Sequence, residues 1–312
     1  MKDQWRCRSG LPPRAPITLQ GDVGGEPAER KGREMAGHII VGADRSPAAQ
    51  AAVQWAAADA ERRHLSLRIV HVREQRPGEH ARGCCATTLT TAADLARETA
   101  GGIQVTTELL AGTVVDRLLA ESATADSVVL GSRGLGELAG MLAGSVSLAV
   151  AGHATSPVVI VRASDSARHG RVVVGYDNSE HAEAAMQYAV EHARAHGARL
   201  HVLHAWQTPV FSPYLTAWNS LMAEVYQEES RTVAEHLTRW CEKNPDVDIT
   251  HETLSGHPVG VLARAGATAD LVVVGSRGRG GFASAVLGSV GHGVLHHVTC
   301  PVAVVRPRND HS

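Results

Sequence analysis

The amino-acid sequence predicts an α/β protein made of two doubly wound, five-stranded parallel sheets in tandem, each of strand order 3-2-1-4-5. Three observations carry that expectation. Short β-branched runs bounded by turn residues alternate with longer helical patterns along the 312 residues, as parallel strands buried on both faces require. The stretch HIIVGADRSPAAQAAVQWAAADAERRHLSLRIVHV from His38 returns from Arg171 as RVVVGYDNSEHAEAAMQYAVEHARAHGARLHVLHA. The glycine-punctuated phrase GSRGLGELAGMLAGS at 131–145 returns as GSRGRGGFASAVLGS at 275–289 with unchanged spacing. Repetition of this kind sets the architecture.

In the first unit, 38–43 reads as a strand and 46–63 as a helix, with Ser46 as N-cap and Pro47 in the first turn. A strand at 65–72, a helix around 88–100, a strand at 103–110 and a helix at 113–122 follow. The fourth strand is 127–132. After the glycine phrase a helix starts near Gly144-Ser145, and 157–161 is the fifth strand. The second unit repeats the pattern, with strands near 171–176, 199–205, 247–254, 271–275 and 301–305. Right-handed crossovers wind each set into one parallel sheet.

The units span 37–162 and 171–307, joined by a linker at 163–170. Equivalent residues lie 133 apart early in the units and 144 apart late, so the second unit carries 11 more residues between its second and third strands. Residues 1–36 are rich in Pro, Gly and charge and have no apolar periodicity. They read as a disordered or spurious N-terminal extension, with Met35 as an alternative start. The fifth strands, PVVIV at 157–161 and PVAVV at 301–305, are apolar edges. Such edges associate, and these two are expected to pair within the chain.

A net charge of −2 and 4% aromatic residues give no sign of a nucleic-acid partner or of an anionic membrane surface. No apolar run approaches the ~20 residues needed to span a bilayer. Five cysteines at irregular spacing suggest no disulfide framework and a cytoplasmic setting. Adjacent Cys84 and Cys85 read as loop thiols, with a redox-active pair as the alternative.

In an open parallel sheet, ligands sit beyond the carboxyl ends of the strands where strand order reverses. Asp44 and Asp177 directly follow the first strands, and the glycine phrases directly follow the fourth. Each Asp–glycine pair therefore faces one crevice. Glycines let backbone approach a ligand closely, and consecutive N–H groups form an anion nest. Gly144-Ser145 and Gly288-Ser289 open helices and add N-terminal N–H groups and a hydroxyl. Arg133 and Arg277 add charge to the loop or point into solvent. A dinucleotide fingerprint belongs after the first strand, where this chain reads GADRSP or GYDNSE, and a P-loop needs Gly-Lys-Ser/Thr, which neither phrase contains.

On these residues, both halves resemble the universal stress protein domain of the ATP-binding branch, with its Rossmann-like fold. The resemblance covers about 37–306. It implies adenine-nucleotide binding, a stress- or dormancy-associated regulatory role, and dimer-like pairing of domains. It places Gly42, Asp44 and Val72 on the adenine and ribose side of the first site. Ribose and phosphates would be held there by Gly131, Ser132, Arg133, Gly134, Leu135, Gly136 and Glu137, with Gly144, Ser145 and Val146. The second site takes Gly175, Asp177 and Ala205, then Gly275, Ser276, Arg277, Gly278, Arg279, Gly280 and Gly281, with Gly288, Ser289 and Val290. Ala205 departs from the larger aliphatic residue usual there.

The expected ligand is ATP, with Mg2+ bound through its phosphates and no protein metal site. The expected role is a sensor or binding module with at most weak ATPase activity, able to meet a regulatory protein partner and to form a homodimer. The alternative is an ATP-dependent ligase, phosphotransferase or slow ATPase on the same scaffold. Asp44 or Asp177 would then position a Mg2+-bound water rather than ribose hydroxyls. His292 and His296 share a helix face without the Glu of a zinc-protease motif, and read as structural or surface histidines. His71 and His204 end the second strands and border the crevice or pack. Trp206, Tyr214, Trp218 and Tyr226 flank the longer second-unit insertion, a lid, a partner surface or ordinary packing.

Overall fold

The computed structural model describes residues 3–6, 37–74, 82–132, 144–162, 168–206, 215–279 and 287–307. Four residues near the N-terminus form β1 (Asp3–Arg6). The first unit runs β2 (His38–Gly42), α1 (Pro47–Arg63), β3 (Ser66–Arg73), α2 (Arg82–Thr99), β4 (Val105–Ala111), α3 (Val114–Ser122), β5 (Ser127–Gly131), α4 (Ser145–His153) and β6 (Val158–Val161). The second runs β7 (Arg171–Gly175), α5 (Glu180–His196), β8 (Arg199–Trp206), α6 (Leu215–Lys243), β9 (Ile249–Ser255), α7 (Pro258–Gly266), β10 (Leu271–Gly275), α8 (Ser289–His297) and β11 (Val302–Val305).

Each unit has the expected 3-2-1-4-5 order, and the two sheets are one. The order is β1-β9-β8-β7-β10-β11-β6-β5-β2-β3-β4. Within each unit the pairs are parallel; the seam is antiparallel, with Val302 opposite Ile160, Ala303 opposite Val159 and Val304 opposite Val158. Every residue of β6 and β11 is buried. The paired edges therefore satisfy each other's backbone groups and remove two apolar edges from water. β1 extends the other end, antiparallel to β9, with Trp5 opposite His251. The disorder expected for residues 1–36 thus does not reach Asp3–Arg6; the rest of that segment lies outside the described residues. Cys85 and Cys300 are free buried thiols, Cys85 within α2 rather than in the expected loop, and Cys241 is disulfide-bonded where no disulfide framework was expected.

Local chemistry starts and stops the helices alike in both units. Ser46 and Ser179 are N-caps whose hydroxyls accept from Ala49 N and Ala182 N, both at 3.1 Å. A left-handed residue ends α1 at His64 and α5 at Gly197, releasing the chain into the next strand. Gly131 and Gly275, at the ends of β5 and β10, let helix and strand meet closely. A Cβ on Gly131 would lie 2.6 Å from the Ala48 carbonyl carbon, and one on Gly275 would lie 2.9 Å from that of His181.

The two units share their cores. One apolar layer joins α1, α2, α5 and α6 to one face of the sheet, and the other joins α3, α4, α7 and α8 to the opposite face. Arg162 and Arg306, each just past a fifth strand, cross the seam in opposite directions. The Arg162 guanidinium donates to the Leu295 carbonyl at 2.5 Å, and that of Arg306 donates to the Gly152 carbonyl. Each cation meets the negative end of the other unit's α8 or α4.

On the other face, α1 and α5 meet about the pseudo-two-fold axis of the duplication. Asp59 and His192 occupy equivalent positions 133 residues apart, as do Arg63 and His196, and Trp55 and Tyr188. Asp59 is fully buried. Its Oδ1 lies 2.8 Å from His196 Nε2 and 3.3 Å from His192 Nδ1. Its Oδ2 lies 3.5 Å from an Arg63 nitrogen, and Arg63 also pairs with Asp126 at 2.7 Å. The His192 ring stacks on Trp55 at 5.7 Å and on His196 at 3.9 Å. Burial pushes His192 down to about 3, against the pull of Asp59. Burial likewise pushes His201, on β8, down to about 4.

Two outcomes follow from this packing. Gly131→Ala and Gly275→Ala push a methyl into helix backbone, so each lowers unfolding stability by about 1–3 kcal/mol in urea denaturation. Gly278→Ala meets only a carboxylate oxygen and costs less; equal losses at all three positions would contradict the packing argument. The second outcome concerns pH. Below about 6.5 the unfolded chain protonates His192 and His201, while the folded chain does so only near 3 and 4. Stability therefore falls as pH drops through that window, by up to about 1.4 kcal/mol per pH unit for each proton. His192→Gln removes its share of the slope. Chemical denaturation from pH 7 to 4 measures it, and a flat wild-type profile contradicts it.

Candidate functional site

The strand order reverses between β7 and β10, and there the second unit opens a cavity of about 570 Å3. Its volume falls in the range of small-molecule sites. Gly175 and Asp177 reach it from the end of β7, and Ala205 from the end of β8. Gly275, Arg277, Gly278 and Arg279 line it from the loop after β10. Gly288, Ser289 and Val290 line it from the first turn of α8. Leu203, Val261, Leu262 and Val274 supply apolar wall. Ser276 is buried, bonded through Oγ to His181 Nδ1 at 3.0 Å, and holds the loop rather than facing the cavity. Gly280 and Gly281 lie outside the described residues.

Asp177 ties the first strand to the glycine loop. Its Oδ1 accepts from Ser179 N at 3.1 Å and from Ser179 Oγ at 2.6 Å. Its Oδ2 accepts from the Arg279 backbone N–H at 3.0 Å. A Cβ on Gly278 would fall 2.5 Å from that Oδ2. Glycine at 278 therefore makes room for the carboxylate that orders the loop. The loop closes on itself where Gly288 N donates to the Ser276 carbonyl at 2.7 Å.

Cation, imidazole and helix end face the same space. Arg277 lines the cavity, and its Nε is buried with no hydrogen-bond partner among the described residues. The Arg279 guanidinium meets Glu229 at 3.4 Å. α8 starts at Ser289 with Gly288 as N-cap, and its first turn lines the cavity, so the positive dipole end of the helix faces that space. His204, 4% exposed, contacts the Tyr176 carbonyl through Nδ1 at 2.8 Å. That contact puts the ring proton on Nδ1 and leaves Nε2, buried and without a partner among the described residues, as an acceptor at the cavity. His71 makes the same contact with the Ala43 carbonyl at 2.7 Å.

The first unit repeats the frame. Asp44 Oδ1 accepts from Ser46 N at 2.8 Å and from Ser46 Oγ at 2.5 Å. Gly144 N donates to the Ser132 carbonyl at 2.7 Å, as in the second unit. Gly42, Val72, Gly131 and Val146 are half-buried, Ser132 and Gly144 are buried, and Ser145 is exposed. Arg133, Gly134, Leu135, Gly136 and Glu137 lie outside the described residues. Asp44 also borders a separate hollow of about 230 Å3 between α1 and α2, beside Gln50, Thr88 and Leu95.

Sequence reasoning missed the wall that α6 builds. Val225 and Glu229, four apart on that helix, line the cavity with Trp206 and Tyr176. The insertion is therefore part of the site in the second unit. Tyr226 packs edge-on against Trp206 at 5.3 Å and donates to the Thr253 carbonyl at 3.3 Å. Tyr214 and the side chain of Trp218 lie outside the described residues. The i, i+4 spacing of Val225 and Glu229 is the one signal that could have marked them. His292 and His296 lie on α8 with rings 4.6 Å apart, away from the cavity lining.

No helix among the described residues is long and apolar enough to cross a membrane. The model of the universal stress protein family matches residues 35–162 and again 169–306. A universal stress protein of Mycolicibacterium smegmatis is 35% identical over 291 residues, covering 86% of this chain and 97% of that protein. Universal stress protein Rv2623 of Mycobacterium tuberculosis is 36% identical over 289 residues, covering 86% and 96%. The crystal structure of a universal stress protein from Archaeoglobus fulgidus aligns over 88% of this chain and 97% of its own at a TM-score of 0.62, with 22% identity. The twofold family match, the full-length relatives and the shared doubly wound sheet agree: this chain belongs to the universal stress protein family.

Proposed function

We propose that the chain is an adenine-nucleotide-binding regulator of the stress response, with one site per unit and ATP, carrying Mg2+ on its phosphates, as ligand. The observation that carries this reading is the cavity at the switch point. One side is apolar and fits a flat base; the other presents loop amides, Arg277 and the α8 N-terminus and fits a polyphosphate. Asp177 lines the same cavity, where ribose hydroxyls would reach it. Leu203, Leu262 and Ala205 would pack the adenine. Ala205 offers less surface than Val72 in the first unit, which weakens base packing in the second site.

Binding suits these groups better than turnover. The carboxylates at the cavity are engaged, Asp177 by Ser179 and the loop backbone, and Glu229 by Arg279. A general base must instead reach the proton it abstracts. The change passed to a regulatory partner or to a second copy is then nucleotide occupancy itself.

Mass spectrometry of small molecules released from the purified protein tests the ligand, and adenine nucleotide is the expected finding. Gly278→Glu puts a second carboxylate against Asp177 and inside the anion site, so calorimetry should lose about one bound ATP per chain. The equivalent Gly134→Glu should remove the other. Retention of two ATP by both variants would refute the assignment. Hydrolysis with Mg2+ should stay far below the ~1 per second at the low end of ordinary enzymes. Faster turnover with any phosphoryl acceptor supports the enzyme reading instead.

A further inference from the structure

We propose that Asp59, His192 and His196 form a binding site for a divalent metal of zinc's class at the pseudo-two-fold axis between the units. None of the three residues lines the cavity at the second unit's switch point. One ligand atom from each residue lies within 4.8 Å of the other two. The Asp59 Oδ1 distances of 2.8 Å to His196 Nε2 and 3.3 Å to His192 Nδ1 approach the ligand–ligand edges of tetrahedral zinc, roughly 3.3–3.5 Å for bonds near 2.0–2.1 Å.

Several features favour a metal over a closed hydrogen-bond network. His192 Nδ1 is buried and makes no hydrogen bond among the described residues, although Asp59 Oδ1 lies 3.3 Å away, and an unmade buried bond is costly. His192 and His196 are four apart on α5, so both rings project from one helix face towards Asp59 on α1. A metal on both rings needs the His192 proton on Nε2 and the His196 proton on Nδ1, which leaves His192 Nδ1 and His196 Nε2 as lone-pair donors. Arg63 holds the other carboxylate oxygen, and Asp126 balances the Arg63 charge. Oδ1 is therefore the oxygen offered to a cation. His196 is 19% exposed in its side chain, which opens a route for the ion and a place for water as fourth ligand. The ligands come from both units, so the metal would clamp one to the other.

The test uses the untagged full chain, stripped with chelator and titrated with ZnCl2 by calorimetry and with Co2+ by absorption. One zinc per chain, tetrahedral cobalt bands and a raised thermal midpoint are expected. His196→Ala should weaken binding by roughly tenfold or more and abolish the bands. His296→Ala, which alters the α8 pair, should leave both unchanged. Asp59→Asn provides a second variant if His196→Ala is unstable. Zinc uptake equal in wild type and His196→Ala, loss of binding only in His296→Ala, or absence of tetrahedral bands in wild type would each overturn the proposal and leave a histidine–aspartate network only.

Discussion

A parallel sheet that ends in a strand apolar on both faces cannot leave that strand in water. β6 and β11 are such strands, and their antiparallel pairing is what the remainder of the molecule is arranged around. Once they meet, α1 and α5 fall together on one face of the sheet and α4 and α8 on the other. The apolar layers then run through both units, and Arg162 and Arg306 find helix ends to cap across the seam. The tandem chain is one folded body because each half lacks what the other's edge supplies.

The glycine phrases have two duties that their spelling does not separate. Gly131 and Gly275 are glycines because a helix backbone lies where their Cβ would be. Gly278 is glycine because the Asp177 carboxylate lies there. The first duty belongs to the fold and the second to the site. The loop is also anchored by protein contacts, Ser276 to Gly288 and Asp177 to Arg279. The described ends of the loop are therefore held in place by the protein itself, an arrangement that lowers the ordering cost of any binding there.

Strand order, the seam and the second site's floor were legible in the sequence because duplication supplies an internal control. A residue type repeated at the same offset after the same strand, as with Asp44 and Asp177, carries more weight than one occurrence. The missed parts lack that control. α6 has no counterpart of its length in the first unit, so Val225 and Glu229 carried only an i, i+4 spacing that any helix face shows. β1 is four residues in a stretch without apolar periodicity, and only its pairing with β9 makes it a strand. The resemblance places Arg279 among the ribose and phosphate residues; the fold also gives it Glu229 as neighbour, a contact 50 residues away that no local pattern encodes.

The axis contacts bear on the history of the chain. In a symmetric pair of identical units, residue 59 faces its own copy. Two copies of the first unit would set one buried carboxylate against another, and two copies of the second would set imidazole against imidazole. In this chain the carboxylate faces the imidazole, and the two copies are no longer interchangeable. A duplication that began as two equal halves has become a lock and its key. Divergence at one position per half suffices to make separation into free, self-pairing domains a step the molecule can no longer retrace without loss.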